Sequence, residues 1–365
     1  VSSCRKIMSD ERINPQFSRS QAAEMVKRLY GLSPGNMDPL PSYHDQNFYV
    51  PTEEGGEYIL KIFNFVESQN LKRIGVQMQA MSFLRQNGLP VPTAVPTNSG
   101  QISSLEEADF GCGCRKYLVI LLTFLPGTVI SKVPLTAPLL FEAGKTAARM
   151  DTILQKFQHP FYDELRRDNF LWCLSNIPML EEYLQVAEGE PLKEIVEGVI
   201  RQFRTSVIPK TSSFHSALIH GDFNDLNLLV LPDDNGGHRI SGILDFNDLH
   251  LACSVYELAI CIMYLMLEHP NPMVVGGLVL AGWETVLPLN QAEKDCLYVL
   301  VMSRFCQSCL LARHEVILHP ENAEYLMTTS KTGVSILRQL WELGKEEVES
   351  VWFKVAAEYS CQNTT

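Results

Sequence analysis

The chain has 365 residues, is 46% hydrophobic and 20% charged, and carries 30 basic against 42 acidic side chains, a formal net charge of −12. A field of that sign argues against general nucleic-acid binding and adhesion to an anionic membrane surface, and a phosphate ligand then requires a local reversal of sign. The length suffices to bury a large core without disulfides or metal staples, and the composition is that of a globular chain.

The first 16 residues are polar and are expected to be a mobile tail, with no apolar stretch of the kind a signal peptide needs. Residues 18–30 begin on Ser18 as a helix N-cap and place apolar residues at helical spacing. Two Gly/Pro clusters make 31–41 a run of turns. Residues 47–50 and 58–63 are short β-type runs around a Pro-Thr-Glu-Glu-Gly-Gly loop, which predicts a hairpin. A helix over 71–87 stops at Gly88, and 91–96 is broken by proline and extended. Residues 116–125 read as a buried strand that ends at Pro126-Gly127. Beyond that point the patterning is helical, over 139–157, 178–186, 191–208, 254–268, 291–318 and 331–359. The exception is 218–246, where short apolar strands flank an acidic, Gly-rich turn. Two apolar runs, 117–125 and 258–267, fall short of the ~20 residues of a membrane-spanning helix and read as core. The ten cysteines, with no secretory signal expected, predict free thiols in a reducing compartment and a cytoplasmic location. The expected architecture is α+β and bilobal: a tail over 1–16, a β-rich N-lobe over 17–125, and a larger helical C-lobe over 126–359 with one embedded hairpin.

The chemistry is concentrated in His220-Gly-Asp222-Phe-Asn-Asp-Leu-Asn227, followed by a strand, a turn, a second strand and Leu244-Asp245-Phe246. This is the H-x-D-x-x-x-x-N and D-F pattern of phosphoryl-transfer sites. Asn227 opens the first hairpin strand and Asp245 closes the second, so an antiparallel hairpin brings the two together. Two hard oxygen donors at one spot suit Mg²⁺. Asp222 lies one loop earlier, placed to accept the proton of a substrate hydroxyl. His220 is expected to tether the loop. Asp225, Asp233 and Asp234 read as turn or solvated residues.

In the N-lobe, Lys61 lies in an alternating apolar strand, where a lone charge is costly unless paired, and is expected to grip nucleotide phosphates. A G-x-G-x-x-G loop is replaced by the segment 42–48, from which Ser42 and Asn47 could contact the phosphates. Thr123, Phe124 and Leu125 form the expected hinge, against which a purine stacks and hydrogen-bonds. In the C-lobe, the candidate acceptor ligands are Asp248 for an ammonium, Arg304 for a carboxylate and Trp172 as a wall.

The sequences HGDFNDLN, ILDFND and LTFLPG resemble the aminoglycoside phosphotransferase-like family, and the resemblance extends over roughly residues 17–355. It implies the two-lobed protein-kinase-like fold, Asp222 as catalytic base, Asn227 and Asp245 as Mg²⁺ ligands, and Lys61 on the nucleotide phosphates. PLPSYHDQNFYV, SGILDFND, SRFCQS and KTGVSILRQL are similar to the members that act on hydroxylysine. That resemblance implies transfer of the γ-phosphate of GTP to the 5-hydroxyl of 5-hydroxy-L-lysine. The implied partners are a purine nucleotide and a small cationic amino acid, with no nucleic acid, membrane or obligatory protein partner. Two other readings stand beside it: a kinase for choline, homoserine or an aminoglycoside, and a non-catalytic pseudokinase module. The second draws on a departure from the family. The helix residue expected to pair with Lys61, normally Glu, falls near Gln77, which is neutral. A further departure is Glu257, where the family usually has Asp; its expected role is to fix the start of a buried helix.

Overall fold

The structure, a computed structural model, describes residues 14–42, 44–111, 113–234, 236–318 and 323–362. Residues 1–13 of the expected tail, and Tyr43 of the expected phosphate-contacting segment, lie outside the described residues. The chain divides into two compact units. One runs through Leu125 and includes His159–Glu164; the other comprises Pro126–Gln158 and the residues from Leu165 onward. The short return of 159–164 to the first unit is a detail the contiguous boundary after residue 125 does not contain.

The first unit is a six-stranded antiparallel sheet and two helices. Helix α1 (Arg19–Tyr30) starts on a capping box between Ser18 and Gln21 and ends on left-handed Gly31. The strands are β1 (Asp38–Leu40), β2 (Gln46–Pro51), β3 (Glu57–Ile62), β4 (Ala94–Val95), β5 (Ser104–Asp109) and β6 (Cys114–Thr123). They run in the order β1-β2-β3-β6-β4, with β5 also on β6. Alternate residues Phe48, Val50, Leu60, Ile62, Tyr117, Val119 and Leu121 share one buried face with Ala22, Met25, Val26 and Tyr30 of α1. The period-2 pattern therefore sends Lys61, between Leu60 and Ile62, to the opposite face. There the ladder sets it between Asn47 on β2 and Ile120 on β6. Helix α2 (Leu71–Gln86) completes the unit. Strands β1 and β5 replace what reads as turn and loop. Each is short and exposed on at least one face, with no apolar alternation to announce it.

The second unit is mainly helical: α3 (Ala137–Leu154), α4 (Pro191–Gln202), α5 (Ser254–Glu268), α6 (Pro272–Glu284), α7 (Gln291–Leu318), α8 (Ala323–Leu343) and α9 (Lys345–Gln362). The α8–α9 break falls at Gly344, in the left-handed region, so the helix expected over 331–359 is two. Leu174–Ala187 is a 3₁₀ stretch with Pro178 inside it, where an α-helix is expected over 178–186. The helix expected over 191–208 passes after Gln202 into a π turn and then a 3₁₀ stretch. Helix α6 has no sequence forecast. It is apolar on all sides, so no polar face marks its period. It lies so close to α3 that a Cβ on Gly144 would stand 1.9 Å from the Val279 carbonyl. Helix α7 is long and apolar enough to cross a membrane by composition, but 89% of that window is buried within the protein, which makes it a core helix.

Two small ladders sit among these helices. Strand β7 (Thr128–Val129) pairs with β9 (Leu228–Pro232), which pairs with β10 (His238–Ile243). Strand β8 (Ser216–Ile219) pairs with β11 (His250–Cys253). The loop between β8 and β9 and the loop between β10 and β11 carry the catalytic-type motifs.

Candidate active site

The β9–β10 ladder ends on Leu228 opposite Ile243, and the Leu244 N–H donates to the Asn227 carbonyl at 2.8 Å. Asn227 and Asp245 thus leave the same end of the hairpin. Asn224 shapes the approach: its Oδ1 accepts the Leu226 and Asn227 N–H groups, both at 2.9 Å, in an Asx turn. Asn227 Nδ2 donates to the carbonyl and to Oδ2 of Asp222, both at 3.0 Å. Asp245 is the one non-glycine with positive φ among the described residues, at 55°. Backbone held in this region costs about 1–3 kcal/mol and collects at functional sites.

The loop before Asp222 is fixed from three sides. His220 is fully buried; its Nε2–H donates to the Leu244 carbonyl at 2.8 Å, and its Nδ1 accepts the Asp222 N–H at 3.2 Å. Burial lowers its pKa, so it works as a neutral tether between the loop and β10. Glu257, in the first turn of α5, accepts the His220 N–H and, at 3.2 Å, the Gly221 N–H. From the first turn of that helix its carboxyl group therefore also holds the loop that carries Asp222. Burial, and after it the charge of Asp222, push its pKa up to about 8 against those two backbone donors. Gly221 has φ 80°, and a Cβ there would fall 2.7 Å from the Asp248 carbonyl and from the His250 ring.

Arg304 corrects an expectation. It is 1% exposed on α7, and its Nη2 lies 3.1 Å from Asp222 Oδ1, so it meets the protein's own carboxylate. Its Nη1 donates to the Trp172 carbonyl at 3.0 Å. Trp172 is half-buried, with its ring 4.9 Å from the guanidinium. Asp248 lies 3.3 Å from Arg167 Nη1, and Arg167 stacks 3.5 Å over Phe170. Burial and the nearby Asp222 charge push the Asp248 pKa up to about 7, opposed by Arg167. Sequence reasoning offers no signal for Arg167, whose partner is 81 positions away. Asp225, expected to be solvated, is 7% exposed.

In the first unit, Lys61 Nζ lies 3.3 Å from Asp45 Oδ2, with side chains only 9% and 5% exposed. Asp45 also accepts the backbone and side-chain N–H groups of Asn64 at 2.9 and 3.0 Å. The acid expected from the following helix is therefore supplied by the residue just before β2, while Gln77 is buried on α2. Asn47 stands opposite Lys61 in the ladder, and its buried Oδ1 has no hydrogen-bond partner. Ser42 is exposed. Thr123, Phe124 and Leu125 are half-buried at and beyond the end of β6, with the Phe124 N–H donating to the Glu57 carbonyl at 3.1 Å.

The profile of the phosphotransferase enzyme family matches residues 37–289, a span that contains Lys61, Asp222, Asn227 and Asp245. The chain belongs to this family. It is 52% identical over 352 residues to hydroxylysine kinase of Danio rerio, covering 96% of this chain and 99% of that protein. It is 42% identical over 356 residues to hydroxylysine kinase of Bos taurus, covering 94% and 95%. Among solved structures, a microcompartment-associated aminopropanol kinase superposes with a TM-score of 0.69 at 17% identity, covering 93% of this chain and all of that one. The fold is the protein-kinase-like one expected, and the protein is a phosphotransferase with an alcohol group as acceptor.

Proposed function

We propose that this enzyme transfers the γ-phosphate of GTP to the 5-hydroxyl of 5-hydroxy-L-lysine. The observation that carries the reading is near-full-length identity of 42–52% to hydroxylysine kinases, joined to a complete phosphoryl-transfer motif on one hairpin. Asp222 accepts the hydrogen bond of the acceptor hydroxyl and orients its oxygen for in-line attack. Little covalent work falls to the protein in such a transfer, so positioning and charge neutralisation carry the rate.

The donor set at the hairpin end fits a hard divalent cation. Asn227 spends its Nδ2 on Asp222, which leaves its Oδ1 for a ligand, and Asp245 adds a carboxylate. Asn227 and Asp245 would hold a Mg²⁺ ion, which when bound would supply charge neutralisation on the phosphates. Lys61, aimed by Asp45, contacts the phosphates of the nucleotide, and Ser42 and Asn47 add hydrogen bonds. Thr123, Phe124 and Leu125 receive the purine. Asp248 and Trp172 line the acceptor side. The eight cysteines among the described residues are free thiols, which supports a cytoplasmic location.

Steady-state rates with hydroxylysine, choline and homoserine, each with GTP and with ATP, test the assignment. Hydroxylysine with GTP is expected to give the highest kcat/KM. Turnover of choline or homoserine without hydroxylysine would overturn it.

A further inference from the structure

Arg304 is a buried charge, 1% exposed, whose hydrogen bonds run to the loop that carries Asp222 and to its surroundings. Nη2 reaches Asp222 Oδ1 at 3.1 Å and the Gly221 carbonyl at 3.5 Å. Nη1 reaches the Trp172 carbonyl at 3.0 Å and Gln307 Oε1 at 3.4 Å. The guanidinium lies between two aromatic rings, Trp172 at 4.9 Å and Tyr264 at 5.3 Å from their centroids. Gln307, one turn along α7, donates to the Leu171 and Cys173 carbonyls at 2.8 and 3.2 Å. Both side chains therefore tie α7 to the 171–173 segment, and Arg304 alone carries the tie on to Asp222.

We propose that Arg304 is a positioning residue for catalysis: its planar fork fixes the rotamer of Asp222 and locks the loop that carries it to the segment bearing Trp172. The inference rests on Asp222 being the group that orients the acceptor hydroxyl. With Arg304 on Oδ1 and Asn227 on Oδ2, the Asp222 carboxylate cannot turn, so the acceptor oxygen meets one fixed direction. Displacements of about 1 Å in such groups cost orders of magnitude in rate. A buried charge of this kind persists because it is paired and hydrogen-bonded. Burial works against its positive charge, and Tyr264, Asp222 and Asp248 hold it protonated. A lysine has one ammonium where the fork has two arms, so it cannot hold Asp222 and the Trp172 carbonyl in the same geometry.

The test compares wild type with Arg304→Lys, Arg304→Met and Arg304→Ala, reading kcat, acceptor KM and nucleotide KM separately. The expected result is a fall in kcat of about a hundredfold for Met and about tenfold for Lys, with nucleotide KM unchanged. Guanidinium ion added to the Ala variant should restore part of kcat, and neutral urea should not. Should the Met and Ala variants fail to fold, the Lys variant still decides through its split between kcat and KM. A Lys or Met variant with wild-type kcat overturns the proposal. So does a variant that raises acceptor KM alone, which would make Arg304 a carboxylate ligand. Loss of turnover in Asp222→Asn is a separate measurement: if it retains wild-type rate, the assignment of Asp222 fails, and the role of Arg304 fails with it. If only the Arg304 variants keep wild-type kcat, Asp222 stands and Arg304 alone is reassigned.

Discussion

Lys61 and Asp45 show how a charge survives inside the first unit. Each side chain is less than a tenth exposed, and removing one partner of such a pair costs about 3–5 kcal/mol because the other charge stays buried. Two donors of Asn64 hold Asp45 in place, so its carboxylate is a fixed point against which Lys61 is aimed. Asp45→Asn is accordingly expected to raise the nucleotide KM about tenfold or more, with the acceptor KM unchanged. A wild-type nucleotide KM in that variant would show that Asp45 does not aim Lys61. At this scale the sequence is informative where spacing is local. Asp222, Asn227 and Asp245 are legible because one hairpin joins them, and His220 is legible as a tether because its partner, Leu244, lies on that hairpin. The partners that bring charge are not legible. Asp45 comes from before the preceding strand, Arg167 lies 81 positions from Asp248, and Arg304 lies 82 from Asp222. Arg304 looks like a substrate ligand in sequence because an arginine among apolar neighbours needs an acid, and the sequence does not say whose.

Elements with an amphipathic period or a clear stop are legible, and elements without one are not. Helix α1 is announced by its cap, whereas α6 is apolar all round and β5 carries no apolar face. Helices α3 and α5 also bring together two buried acids, Asp151 and Glu257. Asp151 is fully buried, and the nearby Ser254 hydroxyl only partly offsets that burial. Burial, and then the charge of Glu257, raise the pKa of Asp151, while that of Glu257 is pushed up to about 8. The folded state therefore holds protons that the unfolded chain releases near about pH 4. This stabilisation is complete below that pH and is lost as pH rises toward about 8. Melting curves of the wild type should thus fall between pH 5 and pH 8. Asp151→Asn should flatten that fall, so that its margin over the wild type widens from pH 5 to pH 8, at about 2–4 °C per kcal/mol. Parallel curves would show that Asp151 is not the titrating group.

For the whole molecule, the net charge of −12 is not spread evenly. Residues 220–248 hold six aspartates and one arginine, an acidity that suits the proposed cationic acceptor and divalent metal. On the proposed reading, Lys61 would supply positive charge toward a nucleotide, and a metal held by Asn227 and Asp245 would add to it. The division after Leu125 is legible because a buried strand ends there on Pro126-Gly127. The return of 159–164 to the first unit is not, because it depends on tertiary packing. The proposed chemistry turns on Asp222 orienting an acceptor hydroxyl for phosphoryl transfer. The measurement that tests it most directly is Asp222→Asn, reading the rate of hydroxylysine phosphorylation at saturating GTP alongside the dissociation constant of the nucleotide. The account predicts a kcat lower by about 10²–10⁴ with nucleotide affinity within about twofold of wild type. A variant that transfers phosphate at the wild-type rate, or that loses nucleotide binding in step with turnover, would contradict it.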